Sequence, residues 1–423
     1  MGRVVTLVLV DPAGTVLGAL PPYEVDLPWW QEVADVVAGA RAHHGVDVTV
    51  LRLLFADQPA PPGGKVTYLA EVTGDPGPVR PATAALVPHP RRAPYAEIGG
   101  PAASLAWAAD ALAARGRTLT AAAQQRTWNL SAIWRLETDT DPVWLKQVPA
   151  FFAHEAAVLG WLGEHCPGTA PVPLAADGGR VLLDDLPGTD RYGAPAAERL
   201  LMLSSLHTAQ LVAAGRVDEL LALGVPDQRP PRLAERLRAV VARNAAPRSE
   251  SAADATEPAR ATSTDLPEPP AGRHGDLPEA PAARLDGRLA VLLDGLDDRL
   301  TELAACGLPD TLVHGDFHPG NVRGTADRHA VIDWGDCVIG HPAIDLLRMC
   351  ERLADPEPLR LAWARSWRTA VPGCDPERAV ALIEPLVALR NAAAYAGFLD
   401  AIEPSEWPYH ADDVPYWLAQ AAV

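Results

Sequence analysis

What the chain lacks narrows its function first. The five cysteines, Cys166, Cys306, Cys337, Cys350 and Cys374, form no Cys-x-x-Cys pair and no paired His spacing. Neither a zinc site nor a disulfide framework is indicated, and no disulfide-linked partner is expected. Net positive charge is also missing: 36 Lys and Arg stand against 54 Asp and Glu, a formal balance of -18. Nucleic-acid phosphates are gripped by clustered cations, so a nucleic-acid partner is not expected. Most of the acidity reads as a solvated surface, although it also permits an acidic cleft for a cationic substrate. The apolar run Val4 to Val10 is too short to span a membrane, has no small-residue cleavage site and ends at Asp11-Pro12. A cytoplasmic protein with no membrane partner is expected, and Asn129-Leu130-Ser131 is then an idle glycosylation match.

What is present suits a globular protein of two or three domains: 423 residues, 48% of them hydrophobic. Residues 1–80 read as a small α/β module. Strands are predicted at Val4 to Val10, Thr15 to Leu20, Val48 to Phe55 and Lys65 to Val72, with a helix over Pro28 to His44 stopped by Gly45. The order faintly resembles the Nudix hydrolase fold, but the helix sequence Gln31 to Val37 lacks the paired-glutamate metal motif. A docking or substrate-gating role is expected there in place of diphosphate hydrolysis. Gly63-Gly64-Lys65-Val66 lacks the spacing of a phosphate loop and reads as a hairpin turn. Residues 81–100, rich in Pro and Gly and carrying Arg91 and Arg92, have the composition of a linker or hinge.

The densest chemistry lies between Thr311 and Asp336. The apolar stub Leu312-Val313 enters a loop with His314, Asp316, His318 and Asn321, and a second stub, Ala330-Val331-Ile332, delivers Asp333 beside it. Asp316, Asn321 and Asp333 would thus face one cavity. Phosphoryl transfer needs little more than a positioned hydroxyl and neutralised phosphate charge. Mg²⁺ takes a few hard oxygen ligands, which Asn321 and Asp333 supply together with nucleotide oxygens. Asp316 is left to accept the proton of the acceptor hydroxyl. A tight polar turn between two core strands would use some of the same residue types.

The segments His314-Gly315-Asp316-Phe317-His318-Pro319-Gly320-Asn321, Ile332-Asp333-Trp334-Gly335-Asp336 and Gly340-His341-Pro342-Ala343-Ile344-Asp345-Leu346 resemble the aminoglycoside phosphotransferase and choline kinase-like family. The resemblance implies an α+β, two-lobed protein kinase-like fold over roughly Pro101 to Val423, following the N-terminal α/β module. Residues 101–185 would form the small lobe and 186–423 the large one. It implies Mg²⁺ and ATP, with GTP as the alternative donor, and transfer to a hydroxyl of a small polar molecule such as an aminoglycoside or amino sugar. Asp316 would be catalytic and Asn321 and Asp333 metal ligands. His314 and His318 would shape the loop, and Asp336 would share in metal or substrate binding.

The same resemblance gives the small lobe its roles. Lys146, on the strand Trp144 to Val148, would orient the phosphates, and Glu155, at the start of the helix Ala153 to Gly163, would be its partner, with His154 and Glu164 as the alternatives. Arg126 to Glu137 and Val143 to Val148 read as a hairpin, and Ser131 lies where a nucleotide-covering loop belongs, without a glycine-rich signature. Asp184, Asp185 and Leu186 resemble the connection between lobes whose main chain meets the nucleotide base. Helices are predicted at Ala196 to Ala214, Arg284 to Cys306, Ile344 to Leu353, Leu359 to Thr369, Arg378 to Arg390 and Asn391 to Ile402. Asp345 would cap its helix or bond back to the catalytic loop. Residues 244–283 are too poor in large apolar groups to order themselves, and Arg273-His274-Gly275-Asp276 within them imitates the loop motif by coincidence. Glu403, Glu406 and Trp407 are candidates for an acidic, aromatic wall around a cationic acceptor. A catalytically silent pseudokinase and a sugar kinase of primary metabolism are the competing readings.

Overall fold

The computed structural model describes residues 2–245, 282–325 and 329–422; most of the insertion at 244–283, with its Arg273 to Asp276 imitation, lies outside them. The N-terminal strands are β1 (Arg3–Val10), β2 (Val16–Ala19), β3 (Tyr23–Val25), β4 (Thr49–Ala56) and β5 (Lys65–Glu71), with α1 (Ala34–His44) between β3 and β4. They form a sheet in the order β2-β1-β5-β4, with β3 also on β1. β1 and β5 run parallel in the centre and are apolar on both sides, as a strand covered on two faces must be. One face packs on Trp30, Val33 and Val36. The other packs on Ala82, Ala84, Leu86 and Ile98. Residues 81–100 therefore cover the sheet instead of forming a free hinge, because Ala82, Ala84 and Leu86 fall on alternate positions and turn to the same face.

The helix expected from Pro28 starts only at Ala34. Residues 31–33 instead make an isolated bridge to the next sheet, where Val33 N donates to Gln125 O at 3.0 Å and Thr127 N to Gln31 O at 3.1 Å. Tertiary pairing overrides helical periodicity there.

The second sheet is fully antiparallel, β6-β7-β8-β10-β9, built from β6 (Leu119–Trp128), β7 (Ser131–Thr138), β8 (Val143–Gln147), β9 (Pro173–Asp177) and β10 (Arg180–Asp184). The stretch predicted as one strand from Arg126 turns at Asn129-Leu130, pairing Trp128 with Ser131. Helix α2 (Gly100–Ala113) closes one side through Ala108 and Leu112 against Trp134, Leu145 and Leu182. Helix α3 (Glu155–His165) follows β8.

The rest is mostly helical: β11 (Thr189–Asp190), α4 (Ala196–Ala214), α5 (Val217–Ala222), α6 (Pro230–Ala245), α7 (Ala282–Asp294) and α8 (Leu296–Ala305). Then come β12 (Thr311–Val313), β13 (Val322–Gly324), β14 (His329–Val331), β15 (Val338–Gly340), α9 (Ala343–Cys350), α10 (Glu357–Ala370), α11 (Pro376–Ala401) and α12 (Asp413–Ala421). The helix predicted over Arg284 to Cys306 breaks at Gly295. The two predicted from Arg378 to Ile402 are one, with Pro385 inside it. α11 is the one described helix long and apolar enough to cross a membrane, yet its buried face joins the core of this lobe with Leu312, Phe317, Trp334 and Leu346.

After α11 a 3₁₀ segment, Pro404–His410, returns to the N-terminal module. Tyr409 enters that module's core beside Trp30. Glu403, 7% exposed, is gripped by Arg92 at 2.8 Å and lies 3.5 Å from Arg52. Removing one partner of a buried ion pair leaves a desolvated charge. Arg92→Ala is therefore expected to lower unfolding free energy by roughly 3 kcal/mol, read as a fall in the denaturation midpoint.

Candidate active site

The site begins with a carboxylate that touches no cavity. Asp345, 1% exposed at the start of α9, accepts from His314 N at 2.9 Å, Gly315 N at 3.0 Å and Gln210 Nε2 at 3.0 Å. Burial pushes its carboxyl up to about 7 against these bonds. The two backbone donors fix the turn after β12, and Gly315 makes that turn at φ +86°, where a Cβ would stand 2.2 Å from Asp336 O. A side chain is excluded at this position. Asp316 N donates to His314 Nδ1 at 3.3 Å, so Nε2 carries the hydrogen and donates to Ile332 O at 2.9 Å. Burial lowers the His314 pKa, which keeps the ring neutral for this double duty. His314 thereby clamps the loop after β12 to the end of β14.

On this frame Asp316 accepts from Arg348 Nε at 2.7 Å and Asn321 Nδ2 at 3.0 Å, with His318 Nε2 at 3.4 Å. Burial alone would raise its pKa, but the bond from His318 and the Arg348 guanidinium outweigh it and hold the carboxyl well below the ordinary range. Asn321 Nδ2 also donates to Asp316 O at 3.0 Å, which leaves the amide oxygen to act as a ligand. Ile332 N bonds Asn321 O at 2.9 Å across the β13–β14 pairing, so Asp333 follows directly beside Asn321. Asp333 sits at φ 65°, a conformation that non-glycine residues rarely take, with its carboxylate half exposed.

Lys146 joins the lobes. Its Nζ reaches Asp333 Oδ1 at 2.5 Å and Glu155 Oε1 at 2.6 Å, and Glu155 also accepts from Trp334 N at 3.0 Å. Burial acts to deprotonate Lys146, but the charges of Asp333 and Glu155 prevail and hold its pKa high. For Glu155 burial prevails and raises the pKa. For Asp333 burial is outweighed by Lys146, and the pKa falls. Asp336 is pushed up to about 7 by burial and then by the charges of Asp316 and Asp333, against the pull of Arg390.

Lys146, Glu155, Asp316, Asn321, Asp333 and Asp336 all line one inter-lobe cavity of about 800 Å³, as do Ser131, Asp184 and Leu186. Ser131 Oγ accepts from Trp128 Nε1 at 3.1 Å. Asp185 turns away from the cavity and accepts from Trp144 Nε1 at 2.6 Å, and Asp184 pairs with Arg117 at 2.8 Å. His318 is a loop residue whose Nδ1 accepts from Gly320 N at 3.0 Å. Glu403, Glu406 and Trp407 are not in the cavity wall, contrary to expectation. They belong to the junction with the N-terminal module, where Glu403 faces Arg92 and burial, then Glu403, pushes Glu406 up to about 8. Trp407 is bonded to Leu399 O at 3.0 Å. Sequence reasoning missed Arg348, one helical turn after Asp345 and on the same side of α9. It also missed His410, whose Nε2 lies 2.9 Å from Asn129 Oδ1 in the β6–β7 turn.

The family described as the phosphotransferase enzyme family matches residues 123–380, which include Lys146, Glu155, Asp316, Asn321, Asp333 and Arg348. The chain belongs to that family. It is a small-molecule phosphotransferase with the two-lobed protein kinase-like fold, the N-terminal module lying outside the matched residues. No curated protein matches the chain. Among solved structures it is similar to a macrolide 2'-phosphotransferase from Brachybacterium faecium, with 17% identity over 73% of this chain and 97% of that one and a TM-score of 0.46. It is likewise similar to a choline kinase from Cryptosporidium parvum, with 10% identity, 71% and 87% coverage and a TM-score of 0.44. An ethanolamine kinase from Plasmodium vivax shares 12% identity, with 69% and 81% coverage and a TM-score of 0.43.

Asp345→Asn offers one acceptor oxygen and an amide donor where the loop has two backbone donors, leaving an N–H unpaired at a cost of about 1–3 kcal/mol. A lower melting temperature and a fall in kcat of ten-fold or more are expected, with nucleotide affinity nearly unchanged by calorimetry.

Proposed function

We propose that the protein transfers the γ-phosphoryl group of Mg-ATP to a hydroxyl of a small molecule bound between the lobes. The observation that carries this reading is Lys146, held by Glu155 and Asp333 in the cavity that also contains Asp316 and Asn321. Asn321 and Asp333 are hard oxygen donors beside one another, and together with phosphate oxygens they fit Mg²⁺; among the described residues no cluster of three or more His, Cys, Asp or Glu forms an all-protein cage. When bound, the ion neutralises charge on the phosphates.

The chain's own groups do the rest. Lys146 presents a permanently charged ammonium to the phosphates, Ser131 lies at the turn above them, and the main chain of Asp184 to Leu186 meets the base. Asp316 accepts a hydrogen bond from the acceptor hydroxyl, aims its oxygen at the phosphorus and takes the proton as the new bond forms. Its depressed pKa makes it a weak base, which suits a loose transition state in which the hydroxyl needs orientation more than early deprotonation. An intact set of these groups favours turnover over a catalytically silent binding module.

Asp316→Asn is expected to lower phosphoryl transfer by about 10²–10⁴-fold in a coupled assay while ATP still binds; full turnover in this variant would remove Asp316 from its role. Asp333→Ala is expected to abolish the Mg²⁺ dependence of nucleotide affinity in titration calorimetry.

A further inference from the structure

Beyond Asp316, on the large-lobe side, the cavity is walled by α6 and α11. Arg390 of α11 points to Asp316's loop, its Nη1 at 3.4 Å from Gly315 O and its Nε at 2.9 Å from Gln228 Oε1. Arg236 of α6 is exposed on the same wall, and its Nη2 lies 4.0 Å from where a Cβ on Gly397 would stand. A methyl group there would make only an ordinary contact, so the distance places the guanidinium alongside α11. Among the described residues Arg236 has no hydrogen-bond or ion-pair partner. The carboxylates nearby are engaged: Glu32 with Arg126, and Asp316 with Arg348.

The same wall carries aromatic rings: Tyr395 and Phe398 belong to α11 itself, and Phe151 and Phe152 pack against Phe398. Phe151 and Phe398 stack at 5.9 Å, Phe152 meets Phe398 edge-on at 5.5 Å, and Tyr395 adds a further edge at 5.5 Å. Phe151, Tyr395 and Phe398 are each half-buried, with ring surface left to the cavity.

A polycationic acceptor would meet two guanidiniums here, and among the described residues the cavity-lining carboxylates without an ion-pair partner are Asp190 and Asp336. An anion meets Arg236, whose planar fork matches a carboxylate or phosphate with two parallel bonds. The rings suit an apolar body. Building on the phosphotransferase reading above, we infer that the acceptor is a compact alcohol with an apolar, ring-sized body and an anionic group, carboxylate or phosphate, which Arg236 grips while the hydroxyl reaches Asp316.

The test uses a matched set on one 2-hydroxy-3-phenylpropyl scaffold ending in an ammonium, a neutral hydroxyl, a carboxylate or a phosphate. Affinity for the full-length protein is measured with Mg²⁺ and a non-hydrolysable ATP analogue, and transfer is measured with ATP. The anionic members should bind at least ten-fold more tightly than the ammonium member, and their relative order identifies carboxylate or phosphate as the group gripped. Arg236→Gln should erase the preference and Arg236→Glu reverse it, with affinity for the ATP analogue confirming that each variant is folded. Equal or tighter binding of the ammonium member overturns the inference, as does a preference that survives Arg236→Glu. Failure of every member to bind a protein that holds the nucleotide overturns it too. Failure of the wild-type chain to bind the nucleotide instead fells the phosphotransferase reading, and this inference with it.

Discussion

One ammonium group holds the catalytic cleft together. Lys146 ends on two carboxylates, Glu155 from the small lobe and Asp333 from the large lobe, 187 positions further along the chain. A buried cation between two anions is stable only while both remain in place, since burial penalises each charge separately. The relative placement of β8, α3 and the loop after β14 is therefore coupled to one another through this contact. Behind it, Asp345 and neutral His314 fix the backbone so that Asp316 and Asn321 emerge beside Asp333.

Much of this was legible before any coordinates. Asp316, Asn321 and Asp333 share one short stretch because two strand stubs and a hairpin deliver them, and local turn chemistry constrains residue types strongly. Lys146 and Glu155 were legible from a strand and the helix after it. Arg348 was not, since its meeting with Asp316 depends on α9 folding back under the loop. Glu403 was misread for the same reason: a short segment that combines acidic and aromatic residues suggests a cation site, and its actual partner, Arg92, is 311 positions away. Residues 81–100 misled through composition, because proline content says nothing of the alternate Ala82, Ala84 and Leu86 that seal a sheet face. Pro28 to Val33 had helical periodicity, yet the backbone there is drawn into pairing with β6.

Charge shows the same limit. A balance of -18 for the whole chain suits an acidic protein, whereas the large-lobe side of the cleft presents Arg236 and Arg390 beside aromatic rings. Bulk charge describes the surface as a whole, and a pocket takes its sign from the few groups that line it.

The strand β6 lies at the end of its sheet, and such a border presents unsatisfied amides and carbonyls to any passing chain. Here the border is occupied by residues 31–33, and Gln124 bonds both backbone groups of Val50, at 2.9 and 2.7 Å. The N-terminal module thus acts as a selvedge along the Gln124 to Thr127 end of the small lobe's sheet, and there denies another molecule the chance to extend it.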